Sequence, residues 1–206
     1  MLFRSEKLGQ PVAMLGYCLG GTLALALAAH MPITRLALIA TPWHFAGYGD
    51  GQRAALAEWW ASAQPLAQTM GQLPIDLLQP AFWSLDPAGL VAKYVRLATA
   101  NADDLADFVR LEDWANGGAP LSLAAVHDLA ALYASGRWDG VDAAAITAPI
   151  LDVIAGADRI VPAQVAVSAL GTVTALQLDA GHVGMVVGRR ARGLSWEPLA
   201  DFLGGA

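Results

Sequence analysis

The sequence predicts an α/β domain built on a parallel sheet, and two observations support this prediction. First, short apolar runs at 11–15 and 35–40 flank an Ala/Leu-rich stretch with tight connections. Strand, helix and strand in that order form the βαβ unit of a parallel sheet. Second, strand signals return late in the chain, as ILDVIA at 150–155 and as the β-branched run TVTALQL at 172–178. The chain of 206 residues is 56% apolar, which is enough to bury a substantial core.

A sharp turn lies inside the first βαβ unit. The sequence GYCLGG at 16–21 joins the first strand to a helix predicted over 22–29, which Pro32 closes. The uncharged stretch 11–34 is long enough to raise the question of a membrane span. Its internal glycines and Pro32 favour a strand, a turn and a buried helix, so no membrane span is predicted. No signal-peptide pattern precedes the stretch, and we expect a cytoplasmic location.

The segment 43–138 differs from the rest of the chain and is predicted to be a helical insertion between two strands of the sheet. It lacks a strong strand signal and contains six of the seven tryptophans. Helices are predicted in it over 52–63, 87–99, 102–114 and 121–134. The predicted domain organisation is a sheet core at 1–42 and 139–206, with the insertion 43–138 as a helical lid. Two further helices are predicted in the core, over 163–170 and 195–203.

Charge and cysteine content narrow the range of functions. The net charge of −6 and the pI near 5.0 argue against nucleic-acid binding, which usually needs a basic face. Four arginines do lie late in the chain, at Arg159, Arg189, Arg190 and Arg192. They form either an ordinary solvated surface or a patch that attracts an anionic substrate. The single cysteine excludes an internal disulfide. Neither a cofactor nor a metal ion is predicted, because the glycine spacing at 16–21 does not fit a nucleotide-binding loop.

Three motifs each place a chemically capable side chain after a predicted strand. Cys18 lies in GYCLGG, which has the G-x-nucleophile-x-G pattern of a nucleophile elbow. Asp158 lies in GADRIVP, and His182 lies in the glycine-flanked loop DAGHVG. Taken singly, each residue has an ordinary alternative: a buried inert cysteine, an aspartate that caps a turn, and a surface histidine.

The order of the three motifs favours a catalytic interpretation. Nucleophile, acid and histidine follow one another in this order in α/β hydrolases, and parallel strands bring such turns to one edge of a sheet. His182 would take the proton of Cys18, and Asp158 would orient His182 and stabilise its charged form. The Leu19 N–H is the predicted oxyanion-hole donor. Asp179 is a rival acid, but its nearness to His182 in the chain favours a role in shaping the loop.

The residues around these motifs resemble polyhydroxyalkanoate synthases, which belong to the α/β-hydrolase superfamily. GYCLGGT at 16–22 is similar to their cysteine lipase box, in which ordinary lipases place serine. GADRIVP and AGHVGMVV are similar to their acid and histidine motifs, and LEDWANGGAP at 111–120 is similar to part of their lid. The histidine loop and the end of the chain, from Trp196 to Leu203, resemble the shorter, class III-like synthases.

The resemblance implies an acyltransferase that polymerises (R)-3-hydroxyacyl units from coenzyme A (CoA) thioesters. Such an enzyme releases CoA and grows a polyester on the thiol of the active site. The implied partners are the acyl-CoA substrate, a second copy of the chain or a partner synthase subunit, and the surface of a polyester granule. The implied location is the cytoplasm, in association with such granules.

The start of the chain adds one expectation. Residues 1–10 precede the first predicted strand, whereas a complete α/β hydrolase has several strands there and a loop that gives the second oxyanion donor. We therefore expect a partial parallel sheet that lacks the N-terminal strands, in an N-terminally truncated chain. Two other functions stay open: a cysteine hydrolase of esters or thioesters, and a non-catalytic relic that associates with granules or with a complete synthase.

Overall fold

The computed structural model describes residues 9–83, 87–138, 140–170 and 173–205. The strands in chain order are β1 (Ala13–Tyr17), β2 (Arg35–Ile39), β3 (Gln72–Leu73), β4 (Leu121–Ser122), β5 (Ile150–Ala155) and β6 (Thr174–Leu178). The α-helices are α1 (Leu19–Ala28), α2 (Gly49–Met70), α3 (Ile75–Trp83), α4 (Pro87–Val95), α5 (Ala102–Asn116), α6 (Leu123–Ser135), α7 (Gly184–Val187) and α8 (Glu197–Gly204). The described residues divide into two compact units, one containing the chain up to Gly49 and from Ser135 onwards, the other containing Asp50–Ala134.

A four-stranded sheet in the order β1-β2-β5-β6 organises the first unit, and all of its neighbouring strands are parallel. The predicted parallel sheet is thereby confirmed. The first strand begins and ends two residues later than predicted. The pairing of β1 with β2 continues to the turn itself, where the Cys18 N–H donates to the Ile39 carbonyl at 2.8 Å. Of the predicted strand 172–178, residue 172 lies outside the described residues.

Helices cover both faces of this sheet. Met14, Leu36 and Leu38 lie on one face and pack with Leu25 of α1 in a buried cluster. Successive side chains of a strand point to opposite faces, so Arg35 points to the face opposite Leu36. The Arg35 guanidinium lies 5.6 Å from the ring centre of Phe202 in α8. The central strands β2 and β5 are buried almost throughout and are mostly apolar, whereas the outer strands β1 and β6 keep exposed residues.

The second unit has its own small core. Trp60 and Ala67 of α2, Leu73 of β3 and Val126 of α6 are buried together. Trp60 and Ala67 are seven residues apart and share one face of α2. Burial of this face stabilises the helix on both sides of Pro65, and the helix ends at Met70. The predicted end at residue 63 is therefore wrong, and α3 forms where no helix was predicted. Among the described residues, no helix has both the length and the hydrophobicity that a membrane span requires.

The helix predicted over 163–170 is wrong. The structure has two short 3-10 turns there, Ala163–Val165 and Val167–Leu170, separated by an extended Ala166. The Val165 carbonyl accepts hydrogen bonds from the backbone N–H groups of Trp43 and His44, at 2.7 and 3.0 Å. It therefore does not accept the hydrogen bond that a continuous α-helix would require. At the end of the chain a π-helix, Arg192–Trp196, precedes α8 in place of one continuous α-helix.

Asp152 is the polar exception in the core of the sheet. Its side chain lies in the middle of β5 and is fully buried. One carboxylate oxygen accepts the Ser168 N–H at 2.8 Å, and the other has no hydrogen-bond partner among the described residues. Burial raises the pKa of Asp152 to about 6, although hydrogen bonds from Ser168 and Val167 act in the opposite direction.

We predict that Asp152 makes the protein less stable as the pH rises through this range. The pKa of Asp152 in the folded chain lies above the ordinary aspartate value of 3.8, so the folded state binds a proton more tightly than the unfolded state does. The free energy of unfolding should therefore fall between about pH 4 and pH 6, on the order of 1–3 kcal/mol in total. Asp152→Asn, which keeps an acceptor for Ser168 but has no charge, should remove this part of the fall in urea unfolding.

Asp201→Asn serves as the matched control, because Asp201 is an exposed carboxyl on α8. It should retain the pH dependence of the wild type. An Asp152→Asn protein with the same pH dependence as the wild type would show that this carboxyl does not hold a proton in the fold.

Candidate active site

Cys18 occupies the turn between β1 and α1 in a strained backbone conformation. Its φ is 53° and its ψ is −128°, a region that costs a residue with a side chain on the order of 1–3 kcal/mol. Its N–H is bonded to Ile39, and its carbonyl accepts the Gly21 N–H at 2.9 Å. The thiol is partly exposed and stands at the first turn of α1, at the carboxyl end of β1.

Two glycines allow this turn to be so tight. A Cβ on Gly16 would stand 2.4 Å from the Gly21 Cα, and a Cβ on Gly21 would stand 1.8 Å from the Thr41 hydroxyl oxygen. Gly20, in contrast, faces open space, with nothing within 4 Å of its would-be Cβ. A side chain at Gly16 or Gly21 would therefore collide with its neighbours, while the second glycine of the G-x-nucleophile-x-G pattern, Gly20, is not required for packing.

Asp158 follows β5 and is fixed from several sides. One of its carboxylate oxygens accepts the N–H groups of Ile160 and Val161, at 2.8 and 2.9 Å. The other is 2.7 Å from the His182 Nδ1, and the Asp158 side chain is fully buried. Asp158 therefore has a defined orientation toward the imidazole before any ligand binds.

His182 connects the other two predicted site residues. Its Nδ1 donates to Asp158 at 2.7 Å, which leaves Nε2 as the ring nitrogen available to Cys18, one of the groups that raise the pKa of the imidazole. The loop that carries His182 follows β6 and is tied to the Asp158 loop, because the Ala157 N–H donates to the Ala180 carbonyl at 3.1 Å. The structure thus joins His182 and Asp158 by a hydrogen bond at the carboxyl edge of the sheet, and Cys18 at the end of β1 is near enough to His182 to raise its pKa.

The surroundings of His182 favour its charged form. Burial lowers its pKa, but interactions with Asp158 and Cys18 outweigh burial and raise the pKa from 6.5 to about 9. At neutral pH the imidazole therefore carries both protons. A protonated imidazole next to a thiol is the arrangement that favours a thiolate–imidazolium pair.

The rival acid and the arginines lie elsewhere on the surface. The Asp179 side chain is 94% exposed and pairs with Arg190 at 3.8 Å, so it does not replace Asp158 as the partner of His182. Arg192 is also exposed and pairs with Glu197 at 3.2 Å. Both interpretations of this arginine cluster, a solvated surface and an anion-attracting patch, remain compatible with these contacts.

Two further features complete the site. Leu19 is the first residue of α1, so its N–H has no acceptor within the helix; its role as an oxyanion donor remains a prediction. Tyr17 contacts both the ring and the backbone of His182. Sequence reasoning missed this role, because the G-x-nucleophile-x-G pattern accepts any residue at the position of Tyr17. Within the described part of the chain, no three His, Cys, Asp or Glu side chains gather as a metal site would require.

The fold and the strained turn together define the class of protein. Residues 3–171 match the family described as alpha/beta hydrolase fold, and the chain belongs to that family. A variant of an epoxide hydrolase from Bacillus megaterium has the same fold, with a TM-score of 0.53 at 15% identity over 96% of this chain and 73% of that one. At this identity the likeness concerns the fold alone.

Among curated proteins, the chain is similar to proteins named "Poly(3-hydroxyalkanoate) polymerase subunit PhaC". The one from Haloarcula marismortui is 27% identical, over 96% of this chain and 46% of that protein. The one from Allochromatium vinosum is 28% identical, over 88% of this chain and 56% of that protein. The chain thus spans about half the length of the curated relatives that it matches, and the resemblance found in the motifs extends along most of it.

We predict that Asp158 maintains the high pKa of His182. In Asp158→Asn the negative partner is lost while burial still disfavours the charged form, so the pKa of His182 should fall well below about 9. Nitrogen-15 NMR titration of the imidazole would measure this. In the wild type the same pKa stabilises the fold fully below about pH 6.5, and this stabilisation is lost as the pH rises through about 9. Asp179→Asn is the control and should leave the titration unchanged, whereas an unaltered titration in Asp158→Asn would contradict the assignment.

We predict opposite effects of alanine at two adjacent glycines. Gly21→Ala forces a methyl group into Thr41 and should lower the free energy of unfolding by about 1–3 kcal/mol or more. Gly20→Ala meets no neighbour and removes a glycine from a helix, so it should raise stability by roughly 0.5–1 kcal/mol. Urea unfolding of the two variants decides the matter. Equal destabilisation by both would show that the turn is not limited by the packing of Gly21.

Proposed function

We propose that this protein is an acyltransferase of the polyhydroxyalkanoate synthase type, with Cys18 as nucleophile, His182 as base and Asp158 as the partner of His182. The observation that carries the proposal is the 2.7 Å bond between His182 and Asp158 beside a cysteine nucleophile elbow, with Cys18 among the groups that raise the pKa of His182. The similarity to polymerase subunits over 96% of the chain supports the choice of substrate class.

The proposed loading step follows from the geometry. His182 holds the proton of Cys18, and the sulfur attacks the carbonyl carbon of a (R)-3-hydroxyacyl-CoA thioester. The oxygen of the tetrahedral intermediate gains negative charge and would accept the Leu19 N–H. When the bond between this carbon and the CoA sulfur breaks, His182 returns the proton to the leaving thiolate. The products are free CoA and an acyl group on Cys18.

A thiol suits the elongation step that follows. Exchange between the CoA thioester and the Cys18 thioester is nearly isoenergetic, so the acyl group stays activated. The hydroxyl group of the next 3-hydroxyacyl unit then attacks the Cys18 thioester, His182 accepts the hydroxyl proton, and the same proton returns to the Cys18 sulfur. One ester bond forms and one thioester bond breaks at each addition.

The helical unit would serve this chemistry as a lid. It is inserted between β2 and β5, and several of its large apolar side chains are exposed: Leu66, Met70, Phe82, Trp83, Val91, Tyr94, Val95, Leu105, Val109 and Trp114. A lid that excludes water would protect the acyl thioester from hydrolysis. The partners proposed with this function are a second copy or a partner synthase subunit and a polyester granule in the cytoplasm.

We predict that Cys18 becomes acylated by (R)-3-hydroxybutyryl-CoA. Intact-mass spectrometry should show one added 3-hydroxybutyryl group on the wild type, with release of free CoA. Cys18→Ala should show neither, and His182→Gln should slow loading by about 10²-fold or more, because general base catalysis typically contributes 10²–10⁴-fold. Asp179→Asn should load like the wild type.

The products separate the proposed function from its alternatives. Oligomers of the hydroxy acid support the transferase, whereas free 3-hydroxybutyrate alone would identify a cysteine hydrolase. A wild type that takes up no acyl group and releases no CoA contradicts both enzymes and leaves the non-catalytic relic.

A further inference from the structure

Tyr17 contacts His182 in two independent ways. The centre of its ring lies 5.0 Å from the centre of the imidazole, with 35° between the ring planes. Its hydroxyl donates a hydrogen bond to the backbone carbonyl of His182 at 3.2 Å, across 165 residues of the chain. One side chain at the end of β1 therefore holds both the ring and the backbone of a residue in a distant loop.

The other contacts of the His182 loop do not prevent rotation of the His182 side chain. The bond between the His182 Nδ1 and Asp158 fixes a point on the ring, but a single hydrogen bond allows the ring to swing about that bond. The backbone on either side is held by the Ala180 carbonyl and by the Gly181 carbonyl, which accepts the Met185 N–H at 3.1 Å. Neither bond limits rotation of the side chain. An aromatic ring against the imidazole does, because it occupies the space into which the imidazole would turn.

The chemistry of Tyr17 also matches the charge of His182. The face of an aromatic ring attracts a cation, and His182 is an imidazolium at neutral pH. Burial, together with the negative charges of Cys18 and Asp158, raises the pKa of the Tyr17 phenol far above its usual value. The phenol therefore stays neutral and its hydroxyl remains a donor to the His182 carbonyl.

We propose that Tyr17 is a positioning residue that holds the His182 imidazole between Asp158 and Cys18 through a ring contact and a hydroxyl–carbonyl bond. The proposal rests on the proposed role of His182 as the base of Cys18. It assigns a function to the variable position before the nucleophile in the elbow motif. The residue at this position, Tyr17, orients the histidine that activates Cys18.

Alkylation of Cys18 by iodoacetamide tests this without any polymerisation. Cys18 is the single cysteine of the chain, so the mass of the protein reports its reaction unambiguously. We expect the rate in the wild type to show an inflection near pH 9, where His182 loses its proton. In Tyr17→Leu the imidazole is free to swing about its bond to Asp158 and away from Cys18. The rate at neutral pH should then fall on the order of tenfold, and the inflection should move below pH 9.

Two more variants separate the ring from the hydroxyl. Tyr17→Phe keeps the ring, so it should restore the inflection near pH 9 and most of the rate lost in Tyr17→Leu. Tyr48→Phe is the matched control, because the Tyr48 hydroxyl makes a similar bond, to the Ile160 carbonyl at 3.1 Å. It should lower the melting temperature about as much as Tyr17→Phe and leave both the rate and the inflection unchanged.

The outcomes distinguish this inference from the proposed function. If Tyr17→Leu melts earlier but keeps the wild-type rate and inflection, Tyr17 only fills the core and the inference is wrong. If His182→Gln alkylates as fast as the wild type, the proposed pairing of His182 with Cys18 fails, and the role of Tyr17 fails with it. Loss of rate in His182→Gln and in Tyr17→Leu, with recovery in Tyr17→Phe, supports both.

Discussion

The close approach of β1 and α1 at the Cys18 turn is the constraint on which the rest of the site depends. Gly16 lies against Gly21, and Gly21 lies against Thr41, with no room for a methyl group at either glycine. The chain can make so short a connection only if Cys18 adopts a positive φ. That conformation places the thiol at the edge of the sheet and leaves the first N–H of α1 unbonded within the helix. Strain in the backbone and exposure of the nucleophile therefore have one origin.

Two buried ionisable groups show how partners decide the effect of burial. Burial disfavours the charged form of both Asp152 and His182. Asp152 accepts a hydrogen bond from Ser168 but has no positively charged partner among the described residues. Its pKa therefore rises, and the neutral form is favoured. His182 has Asp158 and Cys18 as hydrogen-bonding and electrostatic partners that raise its pKa, so its charged form is favoured although it too is buried. Of these two buried groups, His182 in the candidate active site has partners that favour its charged form, and Asp152 does not.

The predictions from sequence succeeded where the information is local. The strand at 150–155 was predicted with its observed bounds, because the five apolar residues around Asp152 define it almost alone. The order of the three motifs predicted one edge of the sheet for Cys18, Asp158 and His182, and in the structure these residues lie in the connections that follow β1, β5 and β6. The helix over 163–170 failed because the Val165 carbonyl bonds to Trp43 and His44, which are more than a hundred residues earlier. Local propensity cannot report such a bond.

The sequence by itself determined the family, the parallel sheet and the identity of the candidate nucleophile, acid and base, since these follow from apolar patterns and short motifs. Only the tertiary structure decided which glycine is indispensable, which acid meets His182 and which side chain holds its ring. Gly20 and Gly21, Asp158 and Asp179, and Tyr17 all look plausible in the linear chain. The distances that distinguish these residues arise only when segments far apart in sequence pack side by side. A Cβ on Gly21 would stand 1.8 Å from the Thr41 hydroxyl oxygen, and the ring centres of Tyr17 and His182 are 5.0 Å apart.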